Sequence, residues 1–457
     1  MPRCHSLRAG ILRSNHDNCY AVNVNNVNNE QQAGSQSRYT ARANVWWRCL
    51  LTLQMWAERV HGLWLLAVPG LLLQVGCAQF LPSSTNTPHP TPTCTARAAA
   101  EFSLLGELRW DDQQSFAGTR VGGLSSIDYD AASGLFFLVS DDRSTVDPAR
   151  AYTARIRYDD QGLHEVTLQE LIWLKNSQQQ RFASPLAAHR TTPLPDAEAL
   201  RLLPASSHML WTDEGDFAQG TGPQLIEADK DGRWLRTWPL PSMLQLPHDI
   251  TLRQGPRRGY TLEGMSLSPD GKTLWLSMER ALWQDLQATT AAHQAPPIRI
   301  TALDTASRQP LRQLAYAPDA LPKGLWLLPG KAMQGVSDIL ADGPEHLLVL
   351  ERSYAPQRGF AARIYRTAIT PTKADNDVLA LPQLTPGNHH PIEKVLVADL
   401  GQLGLRSVDN LEGMSWGPPL ASGERVLLLV SDNNFNPAQV TQFVALVQRQ
   451  CGPATGL

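Results

Sequence analysis

The stretch LEGMSLSPDGKTLWLSMER, residues 262–280, returns in close form as LEGMSWGPPLASGERVLLLVSDN, residues 411–433. Each copy opens on a short alternation of apolar with small or polar residues. A turn with Gly, Pro or Ser follows, then an apolar run that ends in an acid. Alternation reads as a half-buried strand, and a short apolar run bounded by turn residues reads as a buried one. Weaker copies are GGLSSIDYDAASGLFFLVSDDR from 122, EALRLLPASSHMLWTDEGD from 198 and QGVSDILADGPEHLLVLERSY from 334. Counted with those at 263 and 412, the five copies start 65 to 78 residues apart.

Self-similarity at a steady step marks a repeat architecture. The step is longer than that of common solenoids and fits a propeller blade with long loops. Each of the first four steps holds four strand-like stretches; the third has MSLSP, TLWLSME, IRITALD and LRQLAYAP. The fifth holds three: MSWGP, RVLLLVSD and TQFVALVQR. The missing strand is EFSLLGELRW, residues 101–110, ahead of the first repeat. Pairing it with the end of the chain closes a ring and removes exposed strand edges. The expected fold is an all-β closed propeller over residues 100–451, five-bladed by repeat count, with six blades as the alternative. A β-sandwich spaces strands in a similar way, but gives no reason for one phrase to return five times.

Composition agrees. The 457 residues are 42% hydrophobic and 18% charged, with net charge -3, and lack the clustered basic excess of a nucleic-acid binder. The 33 Pro and 32 Gly are spread along the chain, which suits many short strands.

The first hundred residues read differently. Residues 1–54 are Asn/Gln-rich without apolar period, an extension that is mis-assigned or disordered. Residues 55–78 have the layout of a secretory signal: Arg59, an apolar run from Leu63 to Leu73, then small residues. Val75-Gly76-Cys77 resembles a lipobox that would lipidate Cys77, although Gln74 stands where an apolar residue is usual; a cut before Gln79 is the other ending. Residues 79–99 form a Pro/Ser/Thr tether. The expected location is the periplasm or the cell envelope, with contact to membrane only through signal or lipid. Cys94 and Cys451 flank the repeats, and an exported protein can join such a pair as a disulfide; two free thiols are the alternative.

Several motifs carry a resemblance: Gly122-Gly123-Leu124-Ser125 with Val139-Ser140-Asp141-Asp142-Arg143, Glu263-Gly264-Met265-Ser266 with Ser268-Pro269-Asp270-Gly271, Leu350-Glu351-Arg352-Ser353-Tyr354, and Glu412-Gly413-Met414-Ser415 with Ser431-Asp432-Asn433-Asn434. In this order they resemble the phytase-like, or "esterase-like activity of phytase", domain of exported bacterial proteins, over roughly residues 100 to 448. The resemblance implies hydrolysis of a phosphate or related ester, although a fold does not dictate an activity.

The first strand of a propeller blade lines the central channel. Glu198, Glu263 and Glu412 share one repeat position and are the candidate catalytic acids, with Gly122 and Gln334 replacing them in the other two copies. Asp141, Glu214, Glu279, Glu351 and Asp432 end the second strands and are candidate metal ligands. Converging carboxylates repel unless a cation or Arg neutralises them. A hard cation, Ca²⁺ first and Mg²⁺ second, fits oxygen ligands. Arg143, Arg280 and Arg352 follow such acids and are candidate anion binders for a small phosphorylated or ester substrate. Two other readings stand: a non-catalytic propeller that binds a ligand or partner at the cell surface, its acids and arginines paired structurally, or a lactonase-like carboxyl-ester hydrolase. CxxC, P-loop and dinucleotide motifs are absent; Gly413-Met414-Ser415-Trp416-Gly417 spells Gly-x-Ser-x-Gly, but its serine sits on an expected strand and not on the strand-to-helix turn of a nucleophile elbow. Oligomeric state is left open.

Overall fold

The computed structural model describes residues 101–187, 192–204, 206–249, 251–289, 294–320, 332–370 and 377–449, all in the second of two compact units, Thr91–Leu457. Cys77, Cys94 and Cys451, and the signal, extension and tether, lie outside the described residues.

The chain starts with β1 (Phe102–Trp110) and a small hairpin of β2 (Ser115–Phe116) and β3 (Thr119–Arg120). Four antiparallel four-stranded blades follow. Blade one is β4 (Leu124–Asp130), β5 (Leu135–Ser140), β6 (Arg150–Asp159) and β7 (Gly162–Trp173). Blade two is β8 (Ala197–Leu202), β9 (His208–Asp213), β10 (Gln224–Asp229) and β11 (Trp234–Trp238). Blade three is β12 (Leu262–Leu267), β13 (Thr273–Met278), β14 (Ile298–Asp304) and β15 (Pro310–Tyr316). Blade four is β16 (Met333–Ala341), β17 (His346–Ala355), β18 (Gly359–Ala368) and β19 (Lys394–Asp399). The last blade has β20 (Leu411–Trp416), β21 (Val426–Ser431) and β22 (Thr441–Gln448) from the chain's end, completed by β1. β1 pairs antiparallel with β22 from Phe102↔Gln448 to Trp110↔Thr441, so the five-bladed ring is closed by the strand expected to close it.

Alternation explains why the second strands are apolar throughout. Successive side chains of a strand point to opposite faces, and here both faces meet a neighbouring blade. Val426, Leu428 and Val430 of β21 pack towards blade one. Leu427 and Leu429 between them pack towards blade four. In β5, Phe136 and Leu138 face the last blade while Phe137 and Val139 face blade two. Each of the five interfaces between blades holds such an apolar cluster. Burial of each large side chain contributes about 1.5–3 kcal/mol.

The inner strands meet around the axis, β4 against β8, β8 against β12, β12 against β16, β16 against β20, and β20 against β4. Each carries a register shift near its start, between Leu124 and Ser126, Ala197 and Leu200, Leu262 and Gly264, Val336 and Asp338, and Leu411 and Gly413. A bulge of this kind re-aims a side chain. The glycine of Glu-Gly-Met-Ser then has a steric reason. A Cβ on Gly413 would lie 2.9 Å from Ile127 N, and one on Gly264 2.8 Å from Ile339 N, so these backbones approach too closely for any other residue.

A buried ion pair crosses the axis. Arg201 Nη2 lies 2.8 Å from Asp338 Oδ2, with both residues almost wholly buried. Arg201 Nη1 donates to Ser126 Oγ, Ile127 O and Leu200 O, and Nη2 also donates to Met414 O. Asp338 accepts from Met265 N and Met414 N. Two side chains thus touch the inner strands of all five blades.

Candidate functional site

Pairing on each bulge builds two rings at one mouth of the channel. Leu124, Ala197, Leu262, Val336 and Leu411 stand just before the bulges and pair with Ser140, Asp213, Met278, Glu351 and Ser431. The residues that follow them on the inner strands are Ser125, Glu198, Glu263, Ser337 and Glu412. The residues that follow their partners are Asp141, Glu214, Glu279, Arg352 and Asp432. The two rings thus carry seven carboxylates, which with Arg352 line a pocket of about 240 Å³.

This register differs from the sequence alignment in two blades. Ser125 and Ser337, not Gly122 and Gln334, stand opposite the three glutamates. The bulge sets the register, and in blades one and four it falls three residues later than the similar phrases suggest. One consequence is that Arg352 takes the place expected for Glu351. Glu351 is not brought to the acid rings. It accepts from Tyr316 OH at 2.6 Å, Asp319 N at 2.8 Å and Gln334 Nε2 at 3.2 Å, and binds Lys394 Nζ.

Seven acids in one small pocket set its electrostatics. Burial pushes Glu198, Glu263 and Asp141 well above the ordinary carboxyl range, and neighbouring carboxylates add to the shift. Glu198 has the most one-sided surroundings: after burial, its strongest perturbers are Glu263, Asp196, Asp141 and Glu214, all acids. Burial carries Asp432 up to about 8, with Glu412 adding to it. Glu214 also reaches about 8, mainly through burial and then Asp196.

Positive charge is present but already engaged. Arg352 Nη2 lies 3.2 Å from Glu279 Oε1, and Nη1 bonds Glu412 Oε1 and, at 2.7 Å, Asn410 Oδ1. Arg280 approaches Glu279 at 3.5 Å. Arg143 pairs with Asp196 at 3.2 Å and does not line the pocket. Glu412 Oε2 is buried without a hydrogen-bond partner. Among the described residues, two groups offer carboxylate oxygens within 4.8 Å of one another: Asp141, Glu412 and Asp432, and Asp196, Glu198 and Glu214. An all-carboxylate donor set with an orphaned oxygen suits a hard divalent cation.

Sequence reading missed Asp196 and Asn410, which stand two residues before Glu198 and Glu412. An offset of minus two in the repeat was the available signal. It also gave no role to the aromatic rim of Tyr260, Tyr354 and Phe360; Tyr354 ends the fourth copy of the phrase, while Tyr260 and Phe360 lie outside it. His389 is held in its own loop, where its Nδ1 lies 3.0 Å from Thr385 O.

Comparison with known proteins agrees with the ring motifs. The model of the phytase-like family, "esterase-like activity of phytase", matches residues 119–435, more than half the chain. The chain belongs to the phytase-like family. The match takes in every position of both rings of this phytase-like propeller and leaves out the closing strands β1 and β22. Solved structures similar to it include a luciferin-regenerating enzyme, 10% identical over 72% of this chain and 93% of that one, with a TM-score of 0.32. A periplasmic gluconolactonase of Pseudomonas aeruginosa is 12% identical over 72% and 86%, with a TM-score of 0.31. The Dos1 propeller is 6% identical over 72% and 69%, with a TM-score of 0.28. No curated protein matches the chain. Among the described residues, no helix is long and apolar enough to cross a membrane.

Proposed function

We propose that this phytase-like propeller is an exported, cation-dependent hydrolase of phosphate or related esters. One observation carries the reading: Glu198 sits in a pocket where its strongest charged neighbours are all acids. Such a pocket either holds protons or holds a cation. Asp196, Glu198 and Glu214 on one side, and Asp141, Glu412 and Asp432 on the other, are the ligand sets for Ca²⁺ or Mg²⁺. When bound, the ion supplies Lewis acidity to a phosphoryl or acyl oxygen and lowers the pKa of a water. Among the described residues no hydrogen bond engages the Glu263 carboxyl, and it is the group available to take or give a proton at the pocket. Arg352, held by Glu279 and Glu412, keeps one fixed positive charge beside the reacting centre, and Arg280 stands at its edge.

A second reading has its own support. Arg143, Arg280 and Arg352 are each paired with an acid, as expected of a binding module whose charges are structural. Calorimetric titration of Ca²⁺ and Mg²⁺ into wild type and Glu263→Gln/Glu412→Gln separates the two. Binding lost in the double variant, together with cation-dependent turnover of aryl phosphates or esters by wild type, supports the hydrolase. Absence of binding by wild type leaves the binding module.

A further inference from the structure

Beside the acid pocket lies a group of residues with the opposite charge. Arg253 stacks on Trp283 at 5.6 Å from the ring centroid. Arg257 stacks on both Trp283, at 5.3 Å, and Tyr260, at 5.0 Å. Arg280 lies on Tyr260 at 4.0 Å. The result is a ladder of three guanidinium groups interleaved with two aromatic rings. Its inner end, Tyr260 and Arg280, lines the pocket. Its outer end is exposed: Trp283 is 36% accessible.

The ladder is pinned to the fold. Trp283 N donates to Gly255 O at 3.0 Å, and Gly255 N to Gln284 Oε1 at 2.8 Å. Ring stacking holds a guanidinium by its face and leaves its N–H edge free for a bidentate anion. Little of that edge is spent here. Arg257 Nε is buried without a hydrogen-bond partner, and Arg280 Nε has only Glu279 Oε1, at 3.5 Å, beyond a good hydrogen bond. Among the described residues, Arg253 and Arg257 have no carboxylate partner. The one acid beside Arg280, Glu279, is bonded more closely by Arg352. Three like charges held together, with Glu279 as their one nearby acid and that acid bonded more closely by Arg352, favour an anionic ligand, while the acids deeper in the pocket repel one.

We propose that the Arg253–Trp283–Arg257–Tyr260–Arg280 ladder is an anion subsite. It binds the outboard phosphate or carboxylate groups of a ligand and turns the neutral or cation-shielded part towards the acid rings. The word substrate for that ligand rests on the hydrolase reading; the anion site does not. The site selects esters that carry negative charge away from the bond to be cut.

Tripolyphosphate is the probe, titrated by calorimetry at low salt into the full-length protein stripped of metal. Wild type is expected to bind, with affinity that falls as salt rises. Arg253→Gln/Arg257→Gln should weaken binding about tenfold or more, the scale of lost charge-assisted bonds. Arg253→Gln alone, on an exposed side chain that does not endanger folding, should weaken it severalfold. Arg181→Gln, which removes a guanidinium stacked on Trp173 at 4.2 Å in blade one, should change nothing. No binding by wild type, or equal binding by wild type and both ladder variants, overturns the proposal. Glu263→Gln/Glu412→Gln, which tests the cation reading, should bind tripolyphosphate as well as wild type or better, so the two ideas fail separately.

Discussion

Arg352 decides much of the pocket's chemistry. It is the single basic residue in two rings of ten positions, and it holds Glu279 and Glu412. Removal of one partner from a buried ion pair leaves the other charge uncompensated, at a cost of about 3–5 kcal/mol. Arg352→Met is therefore expected to lower stability by that amount at pH 8, by urea denaturation, and by less as pH falls and the raised carboxyls of Glu279 and Glu412 take up protons. The ring also gives the wild type a pH signature. Folded pKa values near 7 for Asp196 and Asp213, and near 8 for Asp432 and Glu214, lie above the ordinary carboxyl values. The folded chain thus keeps protons that the unfolded chain releases. Stability from these groups is complete below about pH 4 and is lost as pH rises through about 7 to 8. Melting temperature of the metal-free protein should fall across this window. Saturating Ca²⁺, which favours the ionised form, should flatten the profile; an unchanged slope with Ca²⁺ would count against a cation in the ring.

The inner strand is an element built around a bulge and a glycine. Glu263 and Glu412 turn to the pocket because the bulge frees them from strict alternation, and the next residue must be small because a neighbouring strand lies against it. Gly413→Ala places a Cβ against the backbone of Ser126 and Ile127. Overpacking of this kind costs typically 1–3 kcal/mol, and backbone here has little room to yield. The expected outcome is a lower urea midpoint with an unchanged slope, and loss of whatever cation affinity the wild type has. On the second strands the opposite change is informative. Leu428→Ala empties a site buried between the last blade and blade one, with an expected loss of about 2–5 kcal/mol.

At the scale of the whole molecule, closure and the axial pair hold the ring together. β1 is supplied by the chain's start and β22 by its end, so loss of one strand exposes an edge on the other. Deletion of residues 101–110 should abolish the single cooperative unfolding transition and promote aggregation, as read by calorimetry and light scattering. Asp338→Ala should cost about 3–5 kcal/mol by leaving Arg201 buried and unpaired. Burial holds the Asp338 carboxyl up at about 6 even against Arg201, so this pair stabilises only when both partners are present.

Repetition made the architecture legible. Apolar runs buried on both faces, turn residues between them and a missing fourth strand in the last repeat are properties of the chain order, and they lead to five blades closed by residues 101–110. Glu198, Glu263, Glu412, Asp141, Glu214, Glu279 and Asp432 were visible because each stands at a fixed place in that repeat. Registry was not visible. Bulges are set by which residues pair across strands, so only the folded sheet moves Ser125 and Ser337 into the inner ring and exchanges Glu351 for Arg352. Partners were not visible either. Arg201 meets Asp338 from 137 residues away, and Arg257 meets Trp283 across a loop, because contact depends on distance in space and leaves no local period in the sequence. The sequence determined that acids recur once per blade; the tertiary structure decided which of them face each other, which one arginine stands among them, and how positive charge gathers at their rim.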